Sequence, residues 1–362
     1  PPSRLRMSDR LASIRRRLSE LKAEAVLLSS GADIRWACGF TGSNALLLVG
    51  SEAAHFVTDG RYTEQAQAEV RGAEVHIADN GLFSCLGAND LLAPYTAVVF
   101  QSDAVSVHAQ ASWAEAHPSL EWMPVPQLLS RAVAEKREKE VKKIRAAQSV
   151  TESVFDDILD LLAPGMTERE VAAEIVYRHL RRGADAMSFD PIVASGPNAA
   201  RPHARPTDRC LREGEPVVID MGGLVEGYAS DMTRTVALGD PGVAVRRAYG
   251  AVLDAQRKAL DAARAGMTGA ELDAVARASL EEADLGEWFS HGLGHGIGLQ
   301  VHEWPRVSPS SDAELPVGAC VTIEPGVYVP EEEYGIRIED IVWLQADGAE
   351  NLTRAPKEFL IL

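Results

Sequence analysis

Short apolar runs, broken by charged and turn-forming residues, set the rhythm of the first third of the chain. Positions 26–28, 45–49 and 54–58 read as buried strands, and 75–78 and 97–100 as further extended segments. Residues 9–21 and 61–70 carry helical spacing, with Ser8 placed to cap the first helix. This alternation predicts an α/β layer domain. It is expected to end near Pro124-Val125-Pro126, where two prolines interrupt regular structure. We place an N-terminal α/β domain at 7–130 and a second domain at 131–362, and set aside the six residues before Met7.

A charged stretch, 135–143, grades into a second helical pattern and reads as a solvated face joining the domains. Val141, Ile144, Val154, Ile158, Leu161 and Leu162 share one face, and Pro164-Gly165 is expected to stop the helix.

The second domain repeats its own pattern. Gly165-Met166-Thr167 recurs as Gly266-Met267-Thr268, a shift of 101 (165 to 266). Each threonine is followed three residues later by a glutamate, Glu170 or Glu271, which makes a capping box at a helix start. Leu211-x-x-Gly214 recurs as Leu315-x-x-Gly318. Val217-Val-Ile-Asp220 recurs as Val321-Thr-Ile-Glu324, a shift of 104 (220 to 324). Each half reads helix, helix, then a strand ending in a carboxylate. Such a duplication implies two similar halves facing one another across a shared cleft.

Composition narrows the class. Hydrophobic residues make up 46% and charged residues 25%, ordinary for a globular protein with a full core. No segment has the uninterrupted apolar length of a membrane span, and the Arg-rich first 21 positions do not read as a secretory signal. Cys38, Cys85, Cys210 and Cys320 are scattered and form no C-x-x-C pair, so reduced thiols in a cytoplasmic protein are expected. A formal net charge of −17 argues against nucleic acid as a partner.

Some of that negative charge lies where chemistry could use it. Asp220 ends an apolar strand, a costly place for an acid unless its charge is compensated. Asp231 follows after the turn containing Gly222, Gly223 and Gly227. Either aspartate alone reads as a turn cap or salt-bridge partner, whereas two inward acids without a nearby lysine point to a cation. His291-Gly-Leu-Gly-His295-Gly-Ile-Gly298 lacks the preceding strand and following lysine of a phosphate loop, and its glycines are better suited to let a histidine reach a metal. Singly, His291, His295 and His302 each read as structural. The segment 335–343 is expected to be one extended strand, with Arg337, Glu339 and Ile341 on one face. Glu339 is the counterpart of Asp231 at a shift of 108 (231 to 339). Four carboxylates and one imidazole match two divalent ions. The oxygen-rich set favours manganese, with cobalt, iron or zinc as alternatives.

These motifs, in the order Asp220, Asp231, His295, Glu324, Glu339, resemble those of the Xaa-Pro peptidases, the prolidases and aminopeptidases P of the pita-bread metallopeptidase family. The match spans roughly 164–340. Gly39-Phe40-Thr41-Gly42-Ser43 and Thr58-Asp59-Gly60-Arg61-Tyr62 are similar to the creatinase-type N-terminal domain of the same enzymes. The resemblance implies a creatinase-type α/β domain followed by an α+β pita-bread domain with an internal pseudo-twofold axis. It implies that Asp220 chelates one metal, that Asp231 and Glu339 bridge both, and that His295 and Glu324 hold the second. A hydroxide bridging the metals would attack the carbonyl, with Glu324 shuttling the proton. His203, His291 and His302 would polarise the carbonyl, stabilise the oxyanion and line the proline pocket. Tyr228 and Thr233 would support Asp231, and Arg337 would orient Glu339 or neighbouring acids.

The implied substrate is a small peptide with proline second, cut at the Xaa-Pro bond. That bond is a tertiary amide whose departing nitrogen must be protonated, so a dedicated pocket with a proton donor is needed. Dipeptides are the expected substrates, with aminopeptidase P action on longer peptides as the alternative. Arg35, in Asp33-Ile34-Arg35-Trp36, is a candidate clamp for the dipeptide carboxylate and equally reads as a surface arginine. A homodimer is implied by the family. Methionine aminopeptidase fits poorly with the long N-terminal domain. Creatinase, which works without metals, and a non-catalytic pita-bread binding protein both fit poorly with an intact ligand set.

Overall fold

A computed structural model describes residues 3–362. The chain folds as two compact units that meet between Val133 and Ala134.

In the first unit the apolar runs become strands β1 (Ala25–Leu28), β2 (Ala45–Gly50), β3 (Ala54–Asp59), β4 (Glu74–Ala78), β5 (Ala97–Gln101) and β6 (Glu121–Val125). They form one mixed sheet in the order β4-β3-β2-β1-β5-β6. Helices α1 (Ser3–Leu21), α2 (Gly31–Cys38), α3 (Thr63–Glu69), α4 (Leu82–Ala88) and α5 (Val107–Ala116) alternate with the strands. Leu27, Leu48, Val57 and Val98 are completely buried in its core, which is why the runs are mostly apolar. Two expectations change. α1 begins at Ser3, so Ser8 lies inside the helix rather than at its cap; Leu5, Arg6 and Met7 are good helix formers and extend it. Pro124 does not interrupt regular structure but sits in β6, an edge strand, where a missing N–H costs no ladder bond.

A short helix α6 (Ser130–Ala134) precedes the second unit's α7 (Glu138–Leu159) and α8 (Glu168–Arg181). Val141, Ile144, Val154 and Ile158 form the buried stripe of α7. The helix stops before Pro164, so Leu161 and Leu162 lie in the following turn, where Leu162 still packs beside Ile158. Strands β7 (Ala186–Met187), β8 (Ile192–Ser195), β9 (Glu215–Met221), β10 (Gly223–Val225), β11 (Tyr228–Ala229) and β12 (Met232–Leu238) follow. The second half supplies α9 (Gly242–Ala262), α10 (Gly269–Glu282), β13 (Gly294–Gly296), β14 (Glu303–Val307), β15 (Cys320–Ile323), β16 (Gly326–Val329), β17 (Tyr334–Arg337), β18 (Asp340–Gln345) and β19 (Gly348–Asn351).

The duplicated phrases make duplicated hydrogen bonds. Thr167 and Thr268 each cap a helix through a reciprocal box with Glu170 and Glu271. The Gly165 amide donates to the Leu211 carbonyl at 2.9 Å, and the Gly266 amide to that of Leu315 at 2.9 Å. Gly214 and Gly318 hold matching left-handed turns, φ +83° and +88°, that glycine tolerates without strain. Each turn feeds an acid-bearing strand with antiparallel neighbours on both sides: β9 between β8 and β12, and β15 between β13 and β18.

The segment 335–343 is not one strand. β17 ends at Arg337 and pairs with β16, while β18 starts at Asp340 and pairs with β15. Between them the Glu339 amide donates to the Thr233 carbonyl at 3.1 Å, which draws the chain against β12. Among the described residues no helix is long and apolar enough to cross a membrane.

Candidate metal centre

Strand ends bring the acids together. Asp220 is in β9, opposite Thr233 of β12, and Asp231 directly precedes β12. Glu324 directly follows β15, and Glu339 directly precedes β18, whose Asp340 pairs with Ile323. Each half of the repeat thus presents one acid from a central strand and one from the start of its neighbour. His295, on β13, fills the remaining side. Its amide donates to Thr322 Oγ1 at 3.1 Å, and that hydroxyl donates to Glu324 Oε1 at 3.2 Å.

The donor atoms are at the separations of ligands sharing an ion. His295 Nε2 is 3.3 Å from Glu324 Oε1 and 3.7 Å from Asp231 Oδ2. Asp231, His295 and Glu339 offer ligand atoms that all lie within 4.8 Å of one another. His295 Nδ1 is 3.1 Å from its neighbour Gly296's carbonyl. That bond keeps a proton on Nδ1 and leaves Nε2 to face the acids.

The charges do not balance without a cation. Burial pushes Asp231 well above the usual carboxylate range, and Asp220 pushes it further. Burial and the Asp231 charge do the same to Glu339. Burial also raises Asp220, against the pull of Arg337. Burial would raise Glu324 too, but the His295 hydrogen bond and charge outweigh it and hold it at about 2. The reciprocal effect lifts His295 to about 9 against its own burial. Asp220 Oδ1 and Glu339 Oε1 are buried without a hydrogen-bond partner. Orphaned carboxylate oxygens in such a place cost free energy that a divalent ion would recover. The donor set therefore fits divalent metal.

Around the acids lies a hydrogen-bonded ring. Arg337 donates to Asp220 Oδ2 at 2.6 Å, to Thr233 Oγ1 at 3.0 Å, to the Tyr328 hydroxyl at 2.8 Å and to the Pro202 carbonyl at 3.1 Å. Thr233 passes its own proton to Glu339 Oε2 at 2.8 Å. Thr233 therefore holds Glu339 rather than Asp231, and Arg337 grips Asp220 directly and Glu339 through Thr233. The Tyr228 hydroxyl donates to Glu140 at 2.8 Å.

Two of the three outer histidines, His203 and His302, are exposed beside this ring. His302 stands edge-on to His295 with ring centroids 4.3 Å apart, and burial, then His295, lowers its pKa. His203, in the loop after Pro202, contributes to lowering both His291 and His302. His291 Nδ1 lies 2.8 Å from the Gly292 carbonyl and Nε2 2.9 Å from the Tyr328 hydroxyl. Its neutral ring, kept so chiefly by burial, donates from Nδ1 and accepts from Tyr328 at Nε2. Arg35 is half-buried on α2 of the first unit.

Sequence reasoning missed Tyr328. It is buried, and burial pushes its phenol up to about 12 against the pull of Arg337. Its signal was its phase: Glu324, Gly326 and Tyr328 alternate along one extended stretch. Asp273 and Arg277 were missed as well. Asp273 accepts the Leu293 amide at 2.9 Å and Arg277 donates to the His291 carbonyl at 2.9 Å, bracing the glycine-rich loop from α10.

Known proteins resemble this chain in sequence and fold. Residues 142–346 match metallopeptidase family M24, and residues 10–132 match the creatinase/prolidase N-terminal domain. An Xaa-Pro dipeptidase of Pyrococcus horikoshii is 42% identical over 225 residues, 62% of this chain and 64% of that relative. The solved structure of an Xaa-Pro dipeptidase from Bacillus anthracis superposes with a TM-score of 0.95 at 33% identity, covering 98% of this chain and 100% of that one. An X-Pro aminopeptidase from Thermotoga maritima gives 0.89 at 34%, covering 96% and 100%. With its acids, imidazole and duplicated strands in this arrangement, the chain belongs to metallopeptidase family M24, with a creatinase/prolidase-type domain ahead of the catalytic one.

Proposed function

We propose that the protein is an Xaa-Pro peptidase acting chiefly on dipeptides, with two divalent ions held by Asp220, Asp231, His295, Glu324 and Glu339. The observation that carries this reading is the buried excess of carboxylate charge at one imidazole, with Asp220 Oδ1 and Glu339 Oε1 left unpartnered. Asp231 and Glu339 would bridge the pair. Manganese is the first choice of ion for so oxygen-rich a set. When bound, the ions supply Lewis acidity and make water a nucleophile at neutral pH.

The chain's own groups do the rest. Glu324, a firm carboxylate beside His295, takes the proton of the attacking water and delivers it to the departing proline nitrogen. His203 and His302 would hydrogen-bond the scissile carbonyl as charge develops on its oxygen. His291, held by Gly292 and Tyr328, gives the proline ring a fixed wall. Arg337 pulls against the burial that raises Asp220 and Glu339, and it orients Asp220 directly and Glu339 through Thr233. A homodimer and a cytoplasmic setting complete the reading.

The test is manganese-supported turnover of Ala-Pro, Gly-Pro, Met-Ala and an Xaa-Pro-Xaa tripeptide. Cleavage of the two proline dipeptides above the others is the expected result. No metal-dependent cleavage of any substrate would overturn it. The likeness to the Thermotoga aminopeptidase supports a second reading, cleavage of longer Xaa-Pro peptides, which preferred tripeptide turnover would establish.

A further inference from the structure

The first unit carries metal-type donors that the peptidase chemistry does not use. His55 is on β3, and Glu74 and His76 are on the neighbouring edge strand β4. The parallel register pairs His55 with Glu74 and Val57 with His76, so all three side chains emerge on one face of the sheet. Leu48, opposite His55 on β2, and Val57 both belong to the unit's apolar cluster. Two imidazoles thus take positions at the rim of a core face, where an apolar side chain is the ordinary choice. Their side chains are only 16% and 15% exposed, while Glu74 is 68% exposed and closes the group from the solvent side.

The donor atoms converge on one point. His55 Nδ1 is 3.1 Å from His76 Nε2 and 3.5 Å from Glu74 Oε2, and His76 Nε2 is 3.9 Å from that same oxygen. A tetrahedral ion with bonds of about 2.0–2.1 Å keeps its ligand atoms about 3.3 Å apart. The three separations bracket that edge, whereas a hydrogen bond between the imidazoles accounts for one of them.

We propose that His55, Glu74 and His76 form a binding site for a zinc-class divalent ion, separate from the peptidase centre, that ties edge strand β4 to β3. Two imidazoles and a carboxylate suit zinc, nickel or copper, with a fourth position left to water. The ion would fasten a strand that has a ladder partner on one side only.

The measurement is zinc bound per chain, by equilibrium dialysis and atomic emission, on the full-length protein. His55→Ala and His76→Ala should each bind one ion fewer than the parent, with manganese-supported Xaa-Pro turnover unchanged. Glu74→Gln, an exposed substitution that leaves the packing alone, should weaken the same ion at least about tenfold, the effect of losing even an outer-shell partner. Zinc should also raise the thermal midpoint of the parent by more than that of Glu74→Gln. An unchanged zinc count and affinity in all three variants would overturn the site and leave His55 and His76 as a hydrogen-bonded pair. Because the readout is ion count on the first unit's variants, its failure is independent of the peptidase reading.

Discussion

Arg337 reaches across 117 positions of sequence to place its Nη2 2.6 Å from Asp220 Oδ2, while the other oxygen of that aspartate stays buried and unpartnered. One oxygen is committed to the protein, and in the proposed centre the other would face an ion. Removing the guanidinium would strand a buried acid. Arg337→Met should cost about 3–5 kcal/mol in urea unfolding of the metal-free protein. Arg337→Lys, which keeps the charge but loses the fork, should recover part of that. Parent-like stability of the methionine variant would show that the pair does not hold the site together.

Asp231→Asn should separate stability from function. Burial and Asp220 raise the pKa of Asp231, so a neutral amide relieves repulsion in the metal-free protein. We expect unfolding at equal or higher urea, less bound metal and no manganese-dependent turnover. Retained turnover in this variant would remove Asp231 from the ligand set.

Metal removal should expose a pH dependence. His295 rises from its ordinary 6.5 to about 9 against its burial, because the bond and charge of Glu324, then Asp231, outweigh it. A base raised on folding gives stability that is complete below 6.5 and lost as pH climbs to 9. Asp231 and Glu339, raised by burial and by other acids, change stability in the same direction, since the folded state holds protons that the unfolded state releases. The chelated protein should therefore weaken between pH 6.5 and 9. The metal-loaded protein should weaken less, because ions take the place of those protons, and metal affinity should rise with pH. Urea midpoints for both forms at the two ends of this window decide the matter; a flat chelated curve contradicts it.

Tyr328→Phe removes the hydroxyl that links Arg337 to His291. Turnover should drop by about 10–100-fold, the range for outer-shell partners, with metal content nearly unchanged. Because His291 would lose its fixed partner, the pH profile of kcat should shift as well. An unchanged profile would reduce Tyr328 to a packing role.

Arg35 is a candidate from sequence alone. If its guanidinium binds the carboxylate of a dipeptide, Arg35→Ala should lower kcat/KM for Ala-Pro while sparing or raising cleavage of an Xaa-Pro-Xaa tripeptide. Equal rates for both substrates in parent and variant would dismiss the clamp.

The sequence by itself determined β1 to β5 and β9, the two capping boxes, the repeat and the donor types, because each is written in neighbouring residues. Thr167 and Glu170 are three apart and meet in any helix that starts there. Asp220 and Glu324 follow apolar runs that must be buried, so their exit points were readable too. Pairings across the fold were not. Local alternation made 335–343 a single strand, but Glu339 bonds to Thr233 and the chain changes sheets there. Thr233 was placed with nearby Asp231, yet it serves Glu339, 106 residues away. Tyr328 drew no reading from the sequence and proved to be a polar link. Local patterns fix which face a side chain takes, but partners distant in sequence are chosen by packing. Only the tertiary structure could decide that Arg337 serves Asp220 and leaves one of its oxygens buried without a partner.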